Sequence, residues 1–231
     1  MATTMPRLDE LALTDLAVGP RNISLWHIKD LDAFLSRMMA EYPLVPDDDI
    51  PYYAWIWPAA LALGSAVLEG PPLDGVSALE LGCGVGVVGL CAALHGAHST
   101  LTDLQPGALE LATKNAEHLG LADRVTVKPL DWRAPDAPPQ DLLLASDVLY
   151  EARFAAPLAH AIQRLLAPGG VALVADPTRP HFPRFVEEAG LRGLTVGAGP
   201  EVVRDNAAIT LHAIWHTSAT SRRMAPWERG T

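Results

Sequence analysis

The stretch Val76-Ser-Ala-Leu-Glu-Leu-Gly-Cys-Gly-Val-Gly86 constrains the fold more than any other part of the chain. An apolar run reaches Glu80, breaks into glycines at 82, 84 and 86, and gives way to a second apolar run from Val87 to Leu94. This pattern reads as a buried strand, a tight turn that suits glycine, and a helix whose N-terminus faces whatever lies over the turn. A ligand can then rest against bare backbone N–H groups.

After this turn, apolar runs and helical patterns alternate with short connections. Strands are expected at Ser99–Thr102, Arg124–Val127, Asp141–Ala145 and Val171–Ala175. Helices are expected at Pro106–Leu119, Phe154–Leu166 and Phe182–Ala189, closed by Gly120, by Pro168-Gly169-Gly170 and by Gly190. Two further strands near Leu191–Val196 and Ala208–Trp215 have no helix between them, which implies an antiparallel pair at one edge. The fold class is α/β: a Rossmann-like, doubly wound seven-stranded sheet, mostly parallel, with helices on both faces.

Upstream, residues 1–20 read as a loosely held arm and Asn22–Ile28 as a short strand. Asp30 can cap a helix through Leu31, Phe34, Leu35 and Met38. Asp47, Asp48 and Asp49 read as a solvated acidic loop. Pro51-Tyr-Tyr-Ala-Trp-Ile-Trp-Pro58 carries four aromatics and leads into a helix from Ala59 to Leu68, with Pro58 at its first position. The division is an N-terminal helical and strand extension (1–50), a main domain (51–216) and a polar tail (217–231) expected to lack fixed structure.

An acid stands at or just after the end of each of the first five strands of the main domain: Glu80, Asp103, Asp131, Asp147 and Asp176. Aspartate is disfavoured inside strands, and ligands of doubly wound sheets sit outside the carboxyl ends of the strands. Asp103 lies 23 residues past Glu80, the offset of an acid that grips ribose hydroxyls. Asp131 and Trp132 stand where an adenine offers its amine edge and its flat face. Gly84-Val-Gly-Val-Val-Gly89 also satisfies a dinucleotide pattern, but its first glycine comes too late after the strand. Glu80 would also oppose a pyrophosphate while attracting a sulfonium or ammonium. S-adenosylmethionine has both cations, a ribose and an adenine.

Charge narrows the partner. With 17 basic against 27 acidic residues and only three lysines (Lys29, Lys114, Lys128), the chain is a poor match for nucleic acid, whose binding rests on clustered Lys and Arg. No apolar run reaches the ~20 residues that cross a membrane. The N-terminus has no signal-peptide pattern, and the two cysteines have no four-ligand zinc spacing. The expected location is cytoplasmic, with no metal.

Over about residues 50–215 the chain resembles the class I, seven-strand methyltransferases. More narrowly, it resembles the family 16 protein-lysine methyltransferases, the group that includes enzymes modifying the β subunit of electron-transfer flavoprotein. Trp57-Pro-Ala-Ala60 resembles the segment before the glycine turn whose tryptophan contacts the cofactor. Glu80-Leu-Gly-Cys-Gly-Val-Gly86 and Thr102-Asp103 match the glycine loop and ribose acid. Leu130-Asp-Trp132 resembles the adenine border, and Asp147-Val-Leu-Tyr150 the Asp-x-x-Tyr/Phe signature.

The resemblance implies S-adenosylmethionine bound by Trp57, Glu80, Gly82, Cys83, Gly84, Gly86, Asp103, Asp131, Trp132 and Ser146, with Cys83 and Ser146 contributing backbone. Methyl transfer needs an in-line nucleophile about 3 Å from the methyl carbon, and an amine must be neutral to attack. Asp147 is the candidate to orient that nitrogen, and Tyr150 the candidate to shape the methyl pocket. His181 reads as a surface-loop residue. The expected substrate is a protein lysine. A small-molecule N- or O-methyltransferase and a catalytically idle cofactor-binding domain are the other readings.

Overall fold

The computed structural model describes residues 6–41 and 50–228; the acidic triplet at 47–49 lies outside the described residues. Among the described residues nine strands form two sheets. Strands β1 (Leu11–Val18) and β2 (Arg21–Ile28) pair antiparallel as a hairpin and lead into helix α1 (Leu31–Glu41). As expected, Asp30 Oδ1 accepts the Ala33 N–H at 2.9 Å at the start of that helix.

Helix α2 (Pro58–Glu69) then precedes an alternating run: β3 (Ser77–Leu81), α3 (Val87–Leu94), β4 (His98–Asp103), α4 (Pro106–His118), β5 (Val125–Pro129) and β6 (Gln140–Ser146). Helix α5 (Ala155–Leu165), strand β7 (Leu166–Asp176) and helix α6 (Phe182–Leu191) follow, and β8 (Leu194–Arg204) and β9 (Ala207–His216) close the sheet. The order across the seven-stranded sheet is β5-β4-β3-β6-β7-β9-β8. The five strands from β5 to β7 are parallel, while β9 runs antiparallel to both β7 and β8. The expected antiparallel pair is present, with the later strand of the pair inserted inside the sheet rather than at its rim.

Two helix layers bury the sheet. Leu79, Leu81, Leu143 and Leu144 in the central strands are fully buried, as are Leu63, Leu90 and Leu158 in the helices. Strands covered on both faces read as continuous apolar runs, which is why β3 and β6 stand out in the sequence. The Pro168-Gly169-Gly170 segment, expected to stop a helix before a short strand, lies inside β7, which begins at Leu166 and meets β6 across a register shift between Gln140 and Leu142. A bulge tolerates both a proline and glycines.

Both ends of the chain depart from expectation. Within the arm of residues 1–20, the described part from residue 6 is not loosely held: Leu11–Val18 is a strand, and Val18, Leu25, Ile28, Phe34 and Met38 join the main core at 0–1% exposure. Each such side chain contributes about 1.5–3 kcal/mol by leaving water. The tail is docked as far as residue 228. Ala225 is fully buried, Arg222 pairs with Glu228 and lies 4.1 Å over the Trp215 ring, and the Arg223 N–H donates to the Gly169 carbonyl. A polar, aperiodic stretch gave no signal of these contacts because they depend on where β8 and β9 leave a surface.

Asn115 of α4 ties the hairpin to the glycine turn. Its amide is fully buried, accepts the Trp26 N–H at 2.7 Å, and donates to the Trp26 and Val85 carbonyls. The extension therefore braces the turn from behind.

Candidate active site

The turn after β3 has the backbone its glycines imply. Gly82, Gly84 and Gly86 have φ of 70°, 53° and 91°, in the left-handed region where a Cβ is strained. The Gly82 and Cys83 N–H groups both donate to the Thr102 carbonyl at 2.9 Å, which fixes the turn against the end of β4. The Cys83 side chain is buried, in keeping with a contribution through backbone alone.

Glu80 corrects the charge argument made from sequence. Its side chain is 1% exposed and accepts the Gly89 N–H at 2.8 Å, so it caps the first turn of α3. Burial pushes its carboxyl up to about 8, against the pull of the helix N–H groups and with Asp103 adding to the rise. Burial therefore works against the negative charge that the strand-end position suggested.

Asp103 ends β4 beside the turn. Its Oδ2 accepts the Gly84 N–H at 3.1 Å and its Oδ1 the Gln105 N–H at 2.9 Å, so one carboxylate joins the glycine turn to the start of α4. The Leu104 N–H also supports this carboxylate, which leaves about one lone-pair direction for a ligand hydroxyl. Tyr53 closes this side: its backbone lies on Gly84 and its phenol on Gly107. Trp57 caps α2 and donates its indole N–H to the Tyr52 carbonyl at 3.1 Å.

On the other side, the Trp132 ring lies against Gly82, where a Cβ would come within 3.1 Å of it. Asp131, next to it in sequence, is engaged by a neighbour. Its carboxylate is held by the Arg133 guanidinium at 2.7–3.0 Å and by the Arg133 N–H, which keep it below the usual carboxylate range. Trp132, Phe154 and Tyr150 form a row of edge-to-face rings, with centroids 6.0 and 5.0 Å apart. Tyr150 is the outermost, at 46% exposure.

Asp147 follows Ser146 at the end of β6 with φ of 54°, and its N–H donates to the Ala175 carbonyl. The left-handed turn buries its side chain to 5% exposure and brings the next residue, Val148, against Gly82. The candidate acceptor-binding acid and the glycine turn are thus neighbours. No sequence pattern pointed to its partner: Arg179, in the loop after β7, donates Nε and Nη2 to the two oxygens of Asp147 at 2.7 and 3.0 Å. Asp176 holds that loop by accepting the Arg179 N–H at 2.7 Å. Burial, with Asp147 close by, pushes the Asp176 carboxyl up to about 6. Tyr53, Phe154 and Arg179 are the site residues that sequence reasoning missed. Tyr53 stood within the aromatic segment already noted, Phe154 only at the start of an expected helix, and Arg179 had only its place after a strand end.

Fold and site together define a class: a Rossmann-like seven-stranded sheet with the layout of the S-adenosylmethionine-dependent methyltransferases. The bare glycine turn, the ribose-side acid and the flat Trp132 face fit that cofactor. Within the class, the chain belongs to the lysine methyltransferase family, whose model matches residues 53–187. It is similar to the electron transfer flavoprotein beta subunit lysine methyltransferase of Xenopus laevis, 32% identical over 140 residues, covering 57% of this chain and 54% of that protein. It is also similar to the protein N-lysine methyltransferase METTL21A of Danio rerio, 40% identical over 105 residues, covering 42% and 48%. The chain spans about half the length of these relatives. Among solved structures, a T. thermophilus 16S rRNA methyltransferase (RsmC) in complex with AdoMet and guanosine matches with a TM-score of 0.62 and 19% identity, covering 91% of this chain and 52% of that one.

Proposed function

We propose that the chain transfers a methyl group from S-adenosylmethionine to the side-chain amine of a lysine in a protein substrate. The observation that carries this reading is the buried Asp147 carboxylate, at a left-handed backbone position directly before Val148, which packs on Gly82. The backbone of Gly82, Cys83, Gly84 and Gly86 would cradle the methionine part. Asp103 would hold the ribose, and Trp132, with Trp57 on the far side, would flank the nucleoside.

When bound, the cofactor supplies an electrophilic methyl carbon on a sulfonium. The protein's part is to place the acceptor nitrogen in line with that carbon and keep water out. Asp147 accepts hydrogen bonds from the acceptor amine and aims its lone pair. The exposed Tyr150, braced on Phe154, walls the entrance through which a lysine stem reaches in.

A protein acceptor, rather than nucleic acid, is supported by the net charge of −10 and by the relatives' names. Two free, buried cysteines suit a cytoplasmic setting, where thiols stay reduced. Among the described residues no helix is long and apolar enough to cross a membrane.

The test is incubation of the purified chain with methyl-tritiated cofactor and a cell extract, followed by separation of protein from small molecules. Acid-stable label on lysine in the protein fraction is expected. Label confined to small molecules replaces this reading with a small-molecule methyltransferase, and tight cofactor binding with no label in either fraction replaces it with an idle binding domain.

A further inference from the structure

Both oxygens of Asp147 are already engaged by a permanent cation of the same chain. A carboxylate offers about four lone-pair directions, and the side-on guanidinium takes two, leaving two for an incoming amine. The Arg179 side chain is one-third exposed while that of Asp147 is nearly buried, so the cation stands at the rim of the acid's pocket.

The arrangement bears on a conflict in amine methylation. A free lysine is protonated below a pKa near 10.4, and only the neutral amine has a lone pair to give. A lone buried carboxylate would bind the ammonium well but would also stabilise its charged form, raising its pKa and slowing the loss of the proton. A carboxylate neutralised by a guanidinium still accepts hydrogen bonds without that penalty.

We propose that Arg179 is a positioning residue that balances the charge of Asp147, so that the acid orients the acceptor nitrogen as a neutral amine rather than trapping it as an ammonium. In the step this serves, the ammonium first loses a proton to water. The nitrogen lone pair then forms the N–CH3 bond as the S–CH3 bond breaks, its electron pair going to sulfur. The inference rests on the amine-acceptor reading above.

Among the described residues, the charged groups around the acceptor position include Asp147 at the end of β6, Asp176 at the end of β7, and Arg179 in the loop held by Asp176. His212 of β9 is stacked on Phe182, three residues past Arg179, with ring centroids 4.0 Å apart, and burial holds it neutral at pH 7. With two carboxylates and one fixed cation in the cluster, removing the cation leaves the acceptor facing uncompensated negative charge.

The experiment measures kcat and KM against pH for the intact chain with saturating cofactor, using recombinant β subunit of electron-transfer flavoprotein as the lysine-bearing probe. In R179Q the inflection at which kcat rises with pH should move up by about one unit or more, with kcat at pH 7 falling about tenfold and KM unchanged or lower. R179K, which restores the charge without the fork, should return the inflection toward the wild-type position. D176N keeps an acceptor for the Arg179 N–H and removes one negative charge, so it should move the inflection down. That arm stands even if R179Q folds poorly, and folding is followed independently by cofactor titration calorimetry.

A kcat that falls by one factor at every pH, or a raised KM with kcat intact, overturns the inference and leaves Arg179 a structural brace. An unmoved inflection in D176N overturns it as well. A wild-type chain that labels no lysine of the probe at any pH refutes the amine-acceptor reading for it, and the inference falls with that reading.

Discussion

The backbone of Tyr53 lies directly on Gly84: a Cβ at position 84 would come within 2.9 Å of the Tyr53 carbonyl oxygen. Two segments 31 residues apart in sequence thus meet backbone to side-chain position, and the contact exists only because residue 84 has no side chain.

Gly84→Ala tests this contact. The substitution adds left-handed strain at φ of 53°, of about 1–3 kcal/mol, and pushes the 52–54 turn off the glycine turn. Expected are a lower midpoint in thermal unfolding and at least about tenfold weaker cofactor binding by calorimetry. Unchanged affinity would show that the Tyr53 segment has no part in shaping the pocket.

Asp147→Asn separates binding from chemistry. The amide preserves shape but weakens the oriented acceptor and leaves Arg179 facing a neutral group. With the acceptor aim lost, kcat should fall by about 10²-fold while cofactor affinity stays within about twofold. Full activity in the variant would remove Asp147 from the mechanism.

Glu80→Gln addresses the buried cap of α3. The folded state holds this carboxyl at about 8, above its ordinary 4.5. Between those values the native chain binds more protons than the unfolded one, so stability falls as pH rises, by up to about 1.4 kcal/mol per pH unit. Asp176 acts with the same sign up to about 6. His212, lowered to about 4, acts with the opposite sign, its contribution being lost as pH falls from 6.5. Urea unfolding at pH 5.5, 6.5 and 7.5 should show the wild type losing stability relative to E80Q as pH rises. A constant difference across the three conditions would mean Glu80 ionises in the folded state as it does in water.

Trp227→Ala tests the docked tail. The indole packs against the core and lies against Gly199 of β8, where a Cβ would clash with it. Its removal should cost about 2 kcal/mol with cofactor affinity unchanged. No loss of stability would return residues 217–231 to the status of an unanchored tail.

How much of this was legible in the sequence divides by the range of the interactions. The parallel half of the sheet was readable because β3, β6 and β7 carry apolar runs, and these and β4 have acids at or beside their ends. The glycine turn was readable because its φ values restrict the residue types allowed. Strand β8 was cut short in the reading: Gly197, Gly199 and Pro200 argue against a strand. Its continuation to Arg204 depends on pairing with β9 through a turn in which Asp205 and Asn206 both have positive φ.

Within the site, Gly82, Gly84, Gly86, Asp103 and Trp132 cluster as their spacing implied. For Glu80 and Asp131, spacing gave the position and not the direction of the side chain. One caps a helix and the other is folded back on Arg133. The Asp147–Arg179 pair joins residues 32 apart in two different loops, and no local pattern encodes it.

The place of β9 also bears on how the chain is made. Strands β7 and β8 do not pair with each other: β7 has β6 on one side and needs β9 on the other, and β8 pairs with β9. While the polypeptide is being synthesised, the parallel half and its glycine turn can assemble first, but β7 then presents an open edge next to the strand end that carries Asp176 and leads to Arg179. That edge is a template for mispairing until residues 207–216 arrive. The segment that completes the sheet is therefore also the one that ends this exposure during biosynthesis.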